Sequence, residues 1–115
     1  MIFKETALKD AYIIELQKFT DSRGFFARAF CEKEFADHGI TFNVAQTNTS
    51  YSSAKYTLRG MHYQKKPHQE AKLMKCIKGA IFDVIIDMRP DSPTFKEWTG
   101  VELSERNRKM LYVPE

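Results

Sequence analysis

The sequence predicts an all-β domain, a sandwich or barrel built from seven or eight short strands. Three observations predict it: apolar residues recur with a period of two, turn-forming residues separate these runs, and helical character is confined to one short segment. The chain has 115 residues, of which 43% are hydrophobic, enough to bury a real core. We therefore expect one domain over residues 1–115.

The first third of the chain predicts strand, turn, strand and helix in that order. Ala11–Phe19 is a β-branched and aromatic run, and the polar turn Thr20–Gly24 follows it. A short aromatic strand comes next at Phe25–Phe30. The helical candidate is Cys31–His38, with Gly39 as its C-terminal stop.

The remaining chain predicts six further strands. AIFDVIID is apolar enough to lie at the centre of a sheet. Lys78–Gly79 predicts a tight hairpin turn before it, and Arg89–Thr94 predicts a proline-rich loop after it. The predicted strands are Asn43–Thr49, Tyr56–Gln64, Ala71–Ile77, Ala80–Met88, Trp98–Leu103 and Lys109–Val113.

Composition excludes several classes of function. The net charge of +3 carries no basic stripe and so does not indicate a nucleic-acid partner, although it suits a small anionic ligand. Cys31 and Cys76 fall in no zinc-like spacing; one disulfide is possible, and we expect reduced thiols. Charges interrupt the N-terminus where a signal peptide would be apolar, and no run approaches the roughly 20 apolar residues of a membrane helix. We expect a cytoplasmic protein without a membrane segment.

The segment LRGMHYQ holds the histidine with the strongest functional signal. Strand alternation places Gly60, His62 and Gln64 on one face, and the glycine lets a ligand or backbone approach closely. A buried structural histidine is the alternative interpretation. By contrast, His38 next to a helix end is expected to be structural, and His68 in a loop is expected to be exposed.

The following strand carries a candidate interior lysine. Alternation puts Lys72 on one face with Met74 and Cys76. If that face looks inward, the ammonium needs an anionic partner or ligand, because burying it alone is costly. A surface lysine on the outer face is the alternative.

For two carboxylates and two amides, the sequence likewise allows either a functional or a purely structural role. Asp83 needs a partner if it is buried, and His62 or Lys72 would serve. Asp87 can simply pair with Arg89. Candidate lining residues on another strand are Gln46 and Asn48, which otherwise form a plain strand edge.

A metal site is a further alternative. His62, His68 and Glu70 would supply two imidazoles and a carboxylate, a set found in non-haem iron sites. Metal-binding cupins, however, place two histidines one residue apart, whereas five residues separate this pair.

Taken together, these motifs resemble the dTDP-4-dehydrorhamnose 3,5-epimerase family, the cupin-fold enzymes of dTDP-L-rhamnose biosynthesis. The resemblance spans nearly the whole chain in the right order. It rests on DSRGFFARAF, QTNTSYS, LRGMHYQ, EAKLMKCIKGAIFDVIIDMRPDSPTF and GVELSERNRKMLYVPE. It implies a cupin-like jelly roll, or double-stranded β-helix, with one short helix.

The resemblance also implies a chemistry. A ketone at C4 of the sugar acidifies the protons at C3 and C5, so a base can remove one and an acid can return one to the opposite face. His62 matches the family's base, a role suited to its ordinary pKa near 6.5. Lys72 matches the residue that stabilises the enolate oxygen. No metal or organic cofactor is implied.

Five further positions match residues of the family's substrate pocket. Arg23 and Arg59 match the cations that hold the nucleotide diphosphate. Phe26, Gln46 and Asn48 match pocket residues for the nucleotide and sugar. Since Arg23 and Phe26 reach into the neighbouring subunit in this family, a homodimer is also implied.

The sequence departs from the family pattern at two points, and both affect which family roles can be assigned to this chain. Arg28 stands where the family usually has a glutamate associated with the nucleotide end of the pocket. The identity of the nucleotide sugar is therefore left open. The family continues beyond VPE with a tyrosine acid and an aspartate that orients the base, and LYVPE follows an apolar strand directly. We expect a domain that is incomplete at its C-terminus. A non-catalytic sugar-nucleotide binding module is therefore a third possibility.

Overall fold

The computed structural model describes residues 1–41 and 43–115, which form eight strands and one short helix. The molecule is almost all β, as predicted. The strands are β1 Ile2–Glu5, β2 Tyr12–Glu15, β3 Lys18–Asp21, β4 Gly24–Ala27, β5 Lys72–Lys75, β6 Ala80–Ile86, β7 Trp98–Ser104 and β8 Met110–Val113, and the helix α1 is Glu32–Ala36.

Four strands form one antiparallel sheet in the order β1-β2-β8-β5. Its register places Tyr12 opposite Tyr112 and Lys72 opposite Val113. The other four strands form two separate hairpins, β3–β4 and β6–β7. The sheet therefore joins strands from both ends of the chain.

One face of the sheet packs against the helix. Phe35 is fully buried and lies in a cluster with Ile14, Met110 and Tyr112. The helix begins after Cys31, and Gly39 adopts φ +74° beyond its end, a conformation that glycine tolerates well. The predicted helix and its glycine stop are confirmed, with slightly narrower bounds.

The opposite face of the sheet turns toward the β6–β7 hairpin. Leu73 packs on the helix side, so Lys72 and Met74 lie on the other face, with Leu111. Leu111 and Leu103 of β7 are both completely buried, and β7 contacts β8. Lys72 therefore belongs to the inner face of a two-layer structure.

The proline-rich loop after β6 is tied to the N-terminus by the buried carboxylate of Asp87. This group accepts hydrogen bonds from Ser92, Thr94 and the guanidinium of Arg89, the last at 2.9 and 3.0 Å. Arg89 also donates to the carbonyl of Lys9 at 2.7 Å. The predicted Asp87–Arg89 pair is confirmed.

Three sequence predictions about strands are wrong. Asn43–Thr49 and Tyr56–Gln64 contain no strand, because a strand needs a hydrogen-bonding partner and the described residues supply none there. Ala11–Phe19 divides between β2 and the start of β3, which belong to different sheets.

The predicted hairpin at Lys78–Gly79 is also wrong. β5 pairs with β8, and β6 pairs with β7. The Lys78–Gly79 turn therefore connects strands of two different sheets instead of two paired strands. AIFDVIID consequently has one neighbour rather than two, and Phe82 remains 69% exposed. Lys78–Gly79 still bends the chain, because Gly79 adopts φ +77°.

The chain exposes more surface than a self-contained domain of its size. Its accessible area is 9131 Å², whereas a single domain of this length exposes about 6,500 Å². Its radius of gyration is 15.0 Å, against about 13 Å expected. Within the described ranges, no helix has the length and apolar character to cross a membrane.

Candidate functional site

Lys72 and Glu70 form the ionic centre of the candidate site. Their Nζ and Oε1 atoms lie 3.0 Å apart, and both side chains are partly exposed. The hydrogen bond from Lys72 is the main reason that the pKa of Glu70 is lowered; Gln64 and the charge of His62 also contribute. Glu70 therefore links Lys72 to the LRGMHYQ segment.

His62 lies beside Gly60 in a segment without regular secondary structure. Gly60 has φ +101°, and a Cβ atom there would lie 3.2 Å from Nδ1 of His62. The close approach expected at this glycine is therefore made by the imidazole itself. His62 is exposed, so the alternative of a buried structural histidine is wrong.

Asp83 contributes a half-buried carboxylate from β6. Its Oδ2 atom is buried and has no hydrogen-bond partner among the described residues. Burial raises the pKa of Asp83, and the nearby charge of Lys72 opposes that rise. Of the two partners that the sequence suggested, Lys72 acts on this carboxylate.

Arg59 is held within its own loop. Its Nε donates to Ser52 Oγ at 3.2 Å, and its Nη2 donates to the carbonyl of Tyr51 at 2.9 Å. Gln46 and Asn48 are exposed in the extended segment before it. Their membership of one pocket with His62 stays a prediction.

Arg23 and Phe26 lie on the β3–β4 hairpin. The Arg23 guanidinium donates to Asp21 Oδ2 at 2.6 Å, and this bond is the main reason that the pKa of Asp21 is lowered. Phe26 is 75% exposed. In the part of the chain that the structure describes, no hydrogen bond or ion pair connects this hairpin to His62 or Lys72.

Two other predicted residues have structural partners. His38 donates from Nδ1 to the carbonyl of Glu34 at 2.8 Å, and its ring stacks on Phe3 with 4.0 Å between the ring centroids, so its structural role is confirmed. Arg28 pairs with Glu34 at 2.8 Å. Both cysteines are free.

The metal alternative finds no ligand set. Across residues 1–41 and 43–115, no three His, Cys, Asp or Glu side chains converge to hold an ion. Sequence reasoning considered Glu70 only as a metal ligand, whereas it is the partner of Lys72. The spacing Glu70-x-Lys72 was the available signal, because alternate residues of an extended segment share a face.

Comparison with known proteins identifies the family. The sequence model of the dTDP-4-dehydrorhamnose 3,5-epimerase family matches residues 5–115. The chain belongs to the dTDP-4-dehydrorhamnose 3,5-epimerase family. A family member from Shigella flexneri is 43% identical over 112 residues, covering 96% of this chain and 61% of that protein. One from Methanothermobacter thermautotrophicus is 43% identical, with coverages of 98% and 60%.

Solved structures of dTDP-4-dehydrorhamnose 3,5-epimerases share the fold. The enzyme from Elizabethkingia anophelis superposes with a TM-score of 0.95 at 43% identity, covering 100% of this chain and 63% of that one. The Legionella pneumophila enzyme, in complex with dTDP-4-keto-L-rhamnose, gives 0.88 at 38% identity, covering 99% and 60%. The predicted cupin-like jelly roll is confirmed. The chain spans about three fifths of the length of these relatives.

Proposed function

We propose that the protein epimerises C3, C5 or both of a dTDP-linked 4-keto-6-deoxyhexose by removing a proton and returning one to the opposite face. The observation that carries this proposal is the grouping of His62, Glu70, Lys72 and Asp83 around one end of β5. This grouping supports a reaction in which His62 and Lys72, linked through Glu70, act on one sugar.

His62 is the proposed base. A neutral imidazole can accept a carbon-bound proton that the adjacent ketone makes acidic. Gly60 supports this role, because the absence of a side chain there leaves room for the ring.

Lys72 is the proposed stabiliser of the enolate oxygen. Removing the proton places negative charge on the ketone oxygen, and a positioned ammonium lowers the energy of that state. The inner-face position of Lys72 supports this assignment, since attraction between charges strengthens away from water.

The pocket for the nucleotide diphosphate is assigned to Arg23 and Arg59, with Phe26, Gln46 and Asn48 as neighbours of the nucleotide and sugar. The exposed position of Arg23 and Phe26 on a hairpin supports donation of these residues to a second protomer. We therefore propose a homodimer. The two free cysteines support a reducing, cytoplasmic location.

Solvent exchange tests the reaction. In deuterated water, the protein should place deuterium at C3 or C5 of dTDP-4-keto-6-deoxyglucose, as followed by NMR. His62→Ala should slow this exchange by about a hundredfold or more. His68→Ala is the matched control, because His68 is an exposed loop histidine with no assigned role, and its rate should equal that of the wild type. Wild-type protein that exchanges neither position would rule out the proposal.

A further inference from the structure

Lys72 faces two carboxylates in different environments. Glu70 lies at the solvent side, with 43% of its side chain exposed, and holds Nζ at 3.0 Å. Asp83 lies on the inner face of β6, opposite Val101 of β7, with Oδ2 buried and unpartnered among the described residues. Lys72 is thus paired with Glu70 at the solvent side of the site, which we call the rim. The carboxylate of Asp83 on the inner face is a second possible acceptor for the same ammonium.

The unpartnered oxygen points to a missing donor. Leaving a buried acceptor without a hydrogen bond is unfavourable. The Lys72 ammonium offers three donors on a flexible four-carbon stem, so a rotation of its side chain can exchange one carboxylate for another. Lys72 and Asp83 both lie on the inward faces of their strands, and the charge of the ammonium opposes the rise in the pKa of Asp83.

We propose that Glu70 and Asp83 are alternative partners of Lys72: Glu70 holds the ammonium at the rim of the free site, and Asp83 holds it inside when the site is occupied. This inference rests on the proposed function for its kinetic consequence. Asp83 is then a positioning residue that acts through Lys72, and Glu70 is a competitor that the reacting sugar displaces.

The two positions differ in what they offer the reaction. At the rim, the ammonium is paired with an ionised carboxylate and hydrated. Inside, the water is excluded, so the same charge stabilises an enolate oxygen more strongly. Among the described residues, Glu70 is the ion-pair partner of Lys72, and Asp83 of β6 is a carboxyl whose pKa the Lys72 charge affects. His62 acts on Glu70, and Val113 of β8, opposite Lys72, is apolar.

A crystal structure of Glu70→Gln tests the exchange without reference to activity. Once Glu70 is neutral, Lys72 Nζ should lie within about 2.7–3.2 Å of Asp83 Oδ2. Lys72 still directed to residue 70 or to solvent would overturn the inference, whether or not the protein is an epimerase.

Kinetics separates the two carboxylates. Asp83→Asn should lower kcat by about tenfold or more, while KM changes by less than about threefold, because only the position of Lys72 in the reaction is affected. Glu70→Gln should instead raise kcat by about twofold or more, because Lys72 is released to its inner position next to Asp83. Glu102→Gln, on the opposite face of the same hairpin, is the charge-matched control and should match the wild type.

Stability distinguishes positioning from a merely structural role. Replacing an unpartnered buried carboxylate with a neutral amide should leave Tm unchanged or raise it. A loss of kcat with a preserved Tm supports the inference. Equal kcat in Asp83→Asn and wild type, or equal losses in Asp83→Asn and Glu70→Gln, would overturn it. If the wild type itself exchanges no sugar protons, the proposed function fails instead.

Discussion

Asp87 shows how a single buried charge can organise a loop. Its carboxylate is almost fully buried and accepts hydrogen bonds from Arg89, Ser92 and Thr94, which lowers its pKa well below the usual range, with Arg89 as the largest cause. The proline-rich loop has no strand of its own. These side-chain hydrogen bonds therefore hold it in place, as backbone hydrogen bonds hold a strand in a sheet.

Asp87→Asn should therefore lower the free energy of unfolding by about 2–4 kcal/mol at neutral pH, because Arg89 loses its charged partner. Urea titrations with tryptophan fluorescence measure this. A carboxyl whose folded-state pKa is depressed stabilises the fold above its unfolded pKa, and the contribution fades as pH falls. The difference between wild type and variant should thus be complete at pH 7 and shrink below about pH 4. A difference that stays constant down to pH 2 would contradict this account.

The backbone at Gly60 leaves the space that the imidazole of His62, the proposed base, occupies. Gly60→Ala should reduce activity by about tenfold or more, because the new methyl group displaces the His62 imidazole. Gly39→Ala is the matched control: it also strains a positive φ, by about 1 kcal/mol, but no atom lies within 4 Å. Equal activities of the two variants, measured by NMR exchange, would exclude displacement of His62.

At the scale of elements, the helix depends on its packing rather than on its length. Five residues are too few for a stable isolated helix. Phe35 anchors it through the buried cluster on the sheet and through edge contacts with Phe3 at 5.1 Å. The short CEKEFADHG pattern nevertheless predicted its place, because the glycine stop is a local signal.

Phe35→Ala should lower the free energy of unfolding by about 3–5 kcal/mol, since it removes a large, fully buried ring. Lys33→Ala in the same helix breaks the exposed ion pair with Asp37 and should leave the free energy of unfolding close to that of the wild type. Chemical denaturation of both variants checks the contrast. Similar losses would mean that the helix is held by its surface charges instead.

For the whole molecule, the excess accessible surface is the main observation. About 2,600 Å² more is exposed than a self-contained domain of this length would expose. Much of it is apolar, with Phe82 69% and Trp98 64% exposed on neighbouring strands. This surface supports the proposed homodimer, since large exposed apolar patches mark sites of association.

Mixed dimers test whether the β3–β4 hairpin serves the partner's site. If Arg23 acts across the interface, dimers of a His62→Ala protomer and an Arg23→Ala protomer contain one site free of both changes. Heterodimers isolated through two affinity tags should then recover about half of the wild-type activity per dimer. Pairing His62→Ala with the double variant is the control and should recover none. Absence of recovery in the first mixture would place Arg23 in its own protomer's site.

The sequence by itself determined the all-β class, the helix with its glycine stop, the turn between β3 and β4 and the four later strands; the roles of the candidate site residues stay predictions. These features depend on local signals: alternation, turn residues and short motifs. The tertiary structure alone decided which strands pair. It joined β8 to β2 and β5, left 43–49 and 56–64 unpaired, and set Lys72 between Glu70 and Asp83. The physical reason is that a strand's hydrogen bonds, and a buried charge's partner, come from residues distant in the chain, and alternation is the same whether or not that partner is present.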